Sequence, residues 1–374
     1  MGIRMSFLWR AAALALAVVL VPAQAAITVV DLAGRSVTLP DKVERIILGE
    51  GRMLSALAVL EGSALPGRVV GMLEDFERLD PTGYELYRQR FPALQQVARL
   101  GRGGASFSVE EAISLKPDVA IFSLRGHGPD VNDAATLGRL QAAGISVVYV
   151  DFTKNPLEDT ARSIELLGRV LGREAQAKAY LGWHRLEMDK VQSRLARVKQ
   201  RPTVFLESRV GLVPGCCETL THGMMGLFVE AAGGRNIAAS LVPGVHGTVS
   251  LEFLLKEQPE VYIGTGIGNP ASLAKGAASI ALGAGVDASA AADSLARSLR
   301  RTGMAQLQAV RSGRAHAVWH HFNYLASNPA ALQAMAKWLH PALFADVDPQ
   351  ATLADFYRRF QPIPLTGTYW TSLP

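Results

Sequence analysis

Ser108-Val-Glu-Glu-Ala-Ile-Ser-Leu-Lys-Pro-Asp-Val-Ala-Ile121 and Ser250-Leu-Glu-Phe-Leu-Leu-Lys-Glu-Gln-Pro-Glu-Val-Tyr-Ile263 are one short pattern that occurs twice, 142 residues apart at every position. Ser108 and Ser250 suit a helix N-cap, and Glu110 and Glu252 place an acid in the first turn, where the helix dipole favours it. A Pro-acid turn (Pro117-Asp118, Pro259-Glu260) then feeds a short apolar run with the look of a buried strand. A supersecondary unit present on both sides of the chain's midpoint predicts two similar lobes.

Outward from the first copy, strand-like runs at Arg45–Leu48, Val69–Leu73, Val119–Phe122 and Val147–Val150 alternate with helical runs near 53–61, 80–91, 108–115 and 130–143. That alternation predicts right-handed parallel βα units. Ahead of them, Ile27-Thr-Val-Val-Asp31 and Gly34–Pro40 read as two short strands around an Ala33-Gly34 turn. From Pro156 to about Lys199 there is no strand signal. Arg173–Lys199 taken as one helix would be about 40 Å long, a rigid spacer ended by Arg201-Pro202. Beyond it, strands are predicted at Thr203–Glu207, Val261–Ile263 and His316–Trp319, with helices near 221–232, 250–257, 303–310, 329–339 and 350–359. The Ala/Gly/Ser-rich stretch 268–292 carries no clear signal. The fold class expected is α/β: two Rossmann-like lobes with parallel sheets joined by one long rigid helix, divided as 26–155, 156–200 and 201–374.

Residues 1–25 hold Arg4 and Arg10, an apolar run from Ala11 to Val21 and small residues at Ala23-Gln24-Ala25. This is the pattern of a cleaved signal peptide, and the run is too short to span a bilayer. The whole chain has 374 residues, with 38 basic against 33 acidic and a formal net charge of +5. Without the leader the balance is 36 against 33. So weak a field, with no basic cluster interleaved with aromatics, excludes nucleic-acid binding. The 49% hydrophobic content excludes a disordered chain. Cys216 and Cys217, the two cysteines, cannot build a disulfide framework. A trans peptide would hold their Cα atoms about 3.8 Å apart, close for a bridge, yet an oxidising compartment keeps a vicinal disulfide open as a reading.

Ligands of open α/β sheets lie beyond the carboxyl ends of strands. That rule selects Arg52 (with Glu50) after the 45–48 strand, Arg125 and His127 after 119–122, and Arg209 after 203–207. It also selects Trp319, His320 and Tyr324 at the end of 316–319, and Arg102 in the Gly101-Arg-Gly-Gly104 loop. Arginines grip oxyanions and stack on rings; Trp319 and Tyr324 suit a planar chelate. A directly bound metal would need three or four converging ligands. His127 is the one histidine of the first lobe, so Glu50 or Glu74 would have to join it. His316 and His320 are i, i+4 but lie on a predicted strand. No metal site is assigned on this basis. Gly264-Thr-Gly-Ile-Gly268 looks like a dinucleotide loop with its third glycine one position early, and no hydrolase elbow, zinc-protease helix or P-loop is present.

With Asp31-Leu-Ala-Gly-Arg-Ser-Val-Thr-Leu-Pro40, Glu44-Arg-Ile-Ile47, Val69-Val-Gly71, Leu115-Lys-Pro-Asp-Val119, Ala231-Ala-Gly-Gly-Arg-Asn-Ile237 and Gly313-Arg314 in this order, the chain resembles the periplasmic binding proteins for ferric siderophores, haem and cobalamin along residues 27–320. The resemblance implies two lobes on a rigid helix, ligand held between them, and delivery to the permease and ATPase of an ABC importer. It implies that Glu110 and Glu252 dock onto the permease. A monomeric, exported, non-enzymatic receptor is therefore expected, with no resident cofactor and a ferric siderophore as ligand. Haem, cobalamin, an oxyanion such as molybdate, or a bare metal ion are the alternatives.

Overall fold

A computed structural model describes residues 27–103, 106–212 and 215–373; the expected signal peptide lies outside them. The chain opens with a hairpin, β1 (Thr28–Val30) against β2 (Ser36–Thr38), around the predicted turn. The first-lobe sheet contains β3 (Ile46–Leu48), β4 (Val69–Met72), β5 (Ala98–Arg99), β6 (Val119–Ser123) and β7 (Ser146–Val150), in the order β5-β4-β3-β6-β7 and all parallel. Its helices are α1 (Leu54–Glu61), α2 (Asp75–Leu79), α3 (Pro81–Arg90), α4 (Val109–Ser114) and α5 (Ala134–Ala142). Every residue of β3 and β6 is buried, as expected for a sheet covered by helices on both faces.

The helical stretch between the lobes is α6 (Pro156–Leu171) and α7 (Glu174–Leu195), and α7 is the long helix expected over 173–199. Gly172 adopts φ +64° and ends α6, so the chain turns before α7 begins. At 22 residues α7 is about 33 Å long.

The second-lobe sheet contains β8 (Thr203–Glu207), β9 (Glu218–Leu220), β10 (Arg235–Asn236), β11 (His246–Thr248), β12 (Val261–Gly266), β13 (Ala315–Trp319) and β14 (Trp370–Ser372). β10, β8, β12 and β13 run parallel. β9, β11 and β14 add antiparallel edges to this parallel centre. These edges are three residues long and partly polar, too short to carry an apolar periodicity. The helices are α8 (Met225–Ala231), α9 (Leu251–Glu257), α10 (Pro270–Ala274), α11 (Ala288–Ser298), α12 (Gln308–Arg311), α13 (Asn328–Leu339) and α14 (Pro349–Phe360). The predicted 303–310 helix is a 3₁₀ turn at Met304–Gln306 followed by α12.

The predicted boundary at 201 is corrected at its far end. Phe356, Phe360 and Ile363 pack in the first-lobe core with Tyr180 and Trp183 of α7. The Tyr180 hydroxyl donates to the Ala326 carbonyl at 2.8 Å, and Gln361 donates to the Ser55 carbonyl at 3.1 Å. The C-terminal segment therefore straps the second lobe to the first.

The repeated unit has the same tertiary role in both lobes. Ser108 accepts from the Glu111 amide and Ser250 from the Phe253 amide. Lys116 and Gln258, at equivalent positions, end their helices with φ +47° and +44°. Asp118 then accepts from the Glu44 and Arg45 amides ahead of β3, and Glu260 from the Thr203 amide that starts β8. In each lobe the acid after the proline pins the neighbouring strand.

Candidate functional site

In both sheets the strand order reverses at one point, between β3 and β6 and between β8 and β12. The loops leaving those strands diverge and form a crevice.

On the first-lobe side, Gly49 donates to the Ile121 carbonyl and carries the chain into Glu50-Gly51-Arg52. Glu50 and Arg52 are buried, as is Asp75 after β4. Arg52 Nε donates to Asp75 Oδ2 at 2.9 Å, and its Nη2 lies 3.4 Å from Glu50 Oε1 and 3.2 Å from His127 Nδ1. The His127 amide donates to Glu50 Oε1 at 3.1 Å. Gly126 leaves no room for a Cβ beside that carboxylate, so the backbone brings His127 this close. Burial alone would lower the Arg52 pKa, but Glu50, Tyr324 and Asp75 raise it. Burial raises that of Asp75, against the pull of Arg52.

On the second-lobe side, Arg209 sits at φ +46°, a conformation uncommon outside glycine. Its amide donates to Thr265 Oγ1 at 2.7 Å, and Thr265 Oγ1 lies 3.0 Å from His320 Nδ1. The Arg209 guanidinium pairs with Glu218 on β9, yet its Nε and Glu218 Oε2 are buried without partners among the described residues. Burial, followed by Arg209, Arg52 and His246, pushes the His320 pKa down to about 3, so the ring is neutral. His321 shifts the same way, again mainly through burial.

The two sides touch. The Arg52 guanidinium lies 3.6 Å from the centroid of the Tyr324 ring, stacking a first-lobe cation on a second-lobe aromatic. Burial, then Arg209, lowers the pKa of His246 on β11, against the pull of Glu218. Thr82 of α3 meets Gly285 of the second lobe.

Arg52, His127 and Tyr324 are thus brought together, as are Arg209 and His320, while Arg125 is exposed. Arg102 is exposed and lies 3.4 Å from Glu74. Trp319 is buried among Tyr369, Phe322 and His321. His316 stacks on Trp338 and bonds Ser372, apart from His320. Arg52 and Arg209 are paired with carboxylates. Asp75, Glu218, Thr265 and His246 went unnoticed in the sequence. Asp75 obeys the strand-end rule and could have been found; Glu218 and His246 sit on unpredicted edge strands.

The glycines of 264–268 are filled rather than open. A Cβ at Gly264, Gly266 or Gly268 would meet Ile280 or Ser279 within about 3 Å, leaving no cradle for a pyrophosphate. Cys216 and Cys217 are joined as a disulfide, and their peptide is cis rather than trans. Glu110 and Glu252 are exposed in the first turns of α4 and α9; Glu110 pairs with Arg139 at 2.7 Å.

Residues 83–314 match the periplasmic binding protein family, and the chain belongs to it. The chain is a periplasmic binding protein, built as two α/β lobes. The TroA-like periplasmic binding protein FepB from Veillonella parvula is similar over 93% of this chain and 100% of its own, at 24% identity and TM-score 0.82. The molybdate-bound periplasmic protein MolA from Haemophilus influenzae is similar over 91% and 99%, at 20% identity and TM-score 0.66. A periplasmic haem-binding protein from Pseudomonas aeruginosa is similar over 80% and 94%, at 19% identity and TM-score 0.55. These likenesses carry the fold. No curated protein matches the chain. Among the described residues no helix is long and apolar enough to cross a membrane.

Proposed function

We propose that this protein is an exported, monomeric receptor that captures an iron chelate, a ferric siderophore, in the crevice and delivers it to an ABC-importer permease. The observation that carries the reading is the Arg52–Tyr324 stack, which puts a charged and an aromatic group at the junction of both lobes. Arg125, exposed and without an ion pair among the described residues, is the donor available to chelate oxygens. Iron would arrive as part of the solute, not as a resident cofactor. The sequence resemblance and the exposure of Glu110 and Glu252 support these acids as the permease contacts.

A directly bound metal ion is the second reading. Glu50, Asp75 and His127 offer ligand atoms within 4.8 Å of one another, although Arg52 already engages all three. Tryptophan fluorescence titrated with ferric siderophores, haem, cobalamin, molybdate, Zn²⁺ and Mn²⁺ separates the two. A ferric chelate that quenches at micromolar concentration, and less so in Arg125→Ala, is expected. Saturation by a bare ion alone, abolished in Glu50→Gln, would replace the first reading by the second.

A further inference from the structure

Behind the Arg52–Tyr324 stack lies a cavity that solute capture does not explain. It has about 30 Å³ of room, enough for roughly two water-sized groups. Its walls are aromatic and come from both lobes: Phe76 and Tyr87 on one side, Trp319, Tyr357 and Tyr369 on the other. Its polar lining residues besides the tyrosines are Arg52, Ser55, Asp80, His321, Ser327 and Gln361.

Asp80 caps α3, accepting from the Gly83 amide at 3.0 Å, and this is the one hydrogen bond of its side chain among the described residues. Burial pushes its pKa up to about 6, the sign of a carboxylate short of partners. His321 is only 6% exposed, and its Nδ1 has no partner among the described residues. The tyrosine hydroxyls are engaged: Tyr87 donates to Gln361, and Tyr357 and Tyr369 bond each other at 3.2 Å. Arg52, at the cavity's edge, directs Nε and Nη2 to Asp75, Glu50 and His127. Ser55 donates to the Arg52 carbonyl at 2.9 Å and Gln361 to the Ser55 carbonyl, so what remains is a carboxylate oxygen, the Ser327 hydroxyl, a ring nitrogen able to accept, and several π faces. This lining calls for a compact cation with several N–H donors. A primary ammonium has three donors and no acceptor, and it is attracted to ring faces. A hard divalent ion would want about six oxygen ligands, which the lining does not supply.

We propose that this cavity is a subsite for a primary alkylammonium group. The group is either a free small amine or the terminal amine arm of the solute held in the crevice; the second source rests on the solute-capture reading above. The mature protein is titrated by calorimetry with ethylammonium, with ethanol as the uncharged control. Saturable binding of ethylammonium, roughly tenfold weaker in Asp80→Asn, is expected. Asparagine caps helices as well as aspartate does, so the melting temperature of the variant should stay close to the parent's. His321→Phe should weaken binding by a smaller factor.

No saturation up to about 100 mM, equal binding of ethanol, or full binding by Asp80→Asn would overturn the subsite. Ferric chelates with and without a terminal amine then separate the sources. Loss of affinity in Asp80→Asn for the amine-bearing chelate alone assigns the arm; equal binding of both chelates assigns the free amine. Ethylammonium binding without any ferric chelate binding would leave the subsite standing and remove the solute reading.

Discussion

The two lobes are alike where they begin and opposite where they meet. At the amino ends of their strands, the same Ser-capped helix and Pro-acid turn pin the neighbouring strand, through Asp118 in one lobe and Glu260 in the other. At the carboxyl ends, the first lobe buries Glu50 and Asp75 around Arg52. The second lobe buries His320 and His321 as neutral rings. The scaffold end depends on local backbone bonds, which any lobe of this kind needs. The crevice end depends on side chains that meet only in the folded protein.

That contrast is open to experiment, beginning with acid. His316 and His320 have folded pKa values pushed down to about 3, below the unfolded value. Their stabilising effect is therefore present at neutral pH and lost as pH falls, because the unfolded chain takes up the protons first. At pH 5 each should cost about 2 kcal/mol. Asp80 in the first lobe, raised to about 6, works the other way and returns about 1 kcal/mol at that pH. Hydrogen exchange at pH 7 and 5 should lose protection in β12 and β13 more than in β3 and β6. Equal loss in both sheets would break the comparison.

Removing the first lobe's cation is the next largest effect. Arg52→Ala leaves Glu50 and Asp75 buried without a counter-charge and should cost about 3–5 kcal/mol in urea unfolding. Arg209→Ala should cost less, because its side chain is 35% exposed and the crevice solvates what is left. At the scaffold end the lobes should respond alike. Asp118→Ala and Glu260→Ala each leave strand amides unpaired, for about 1–3 kcal/mol. Ser108→Ala and Ser250→Ala remove matching caps, for about 1 kcal/mol each. A difference above about 1 kcal/mol within either matched pair would mean the repeat is equivalent in sequence but not in role. Glu110→Ala should change stability least, since its partner Arg139 is a surface contact.

The long parallel strands were legible because each is a continuous apolar run bounded by turn residues; Thr203–Glu207 matches its predicted span, and Val119 opens β6 as predicted. α4 and α9 were legible from their capping serines. β9, β11 and β14 were not, since three residues paired at a sheet edge leave no periodic trace. Phe356 and Phe360 look like any amphipathic helix, and nothing local says that their face belongs to the other lobe's core. The arginines at strand ends could be seen, but not that Asp75 and Glu218 would already hold two of them.

By itself, the sequence determined the α/β units, the repeated capped turn and the strand ends where a crevice must open, because caps, apolar runs and turns act over a few residues. The tertiary structure alone decided which groups meet there. Arg52 reaches Tyr324 across 272 residues of chain, and Asp80 comes to share a cavity with His321. Those contacts exist only once both sheets, α7 and the C-terminal strap have set the two lobes against each other, since burial and charge pairing at a lobe junction depend on distances that no local stretch of chain encodes.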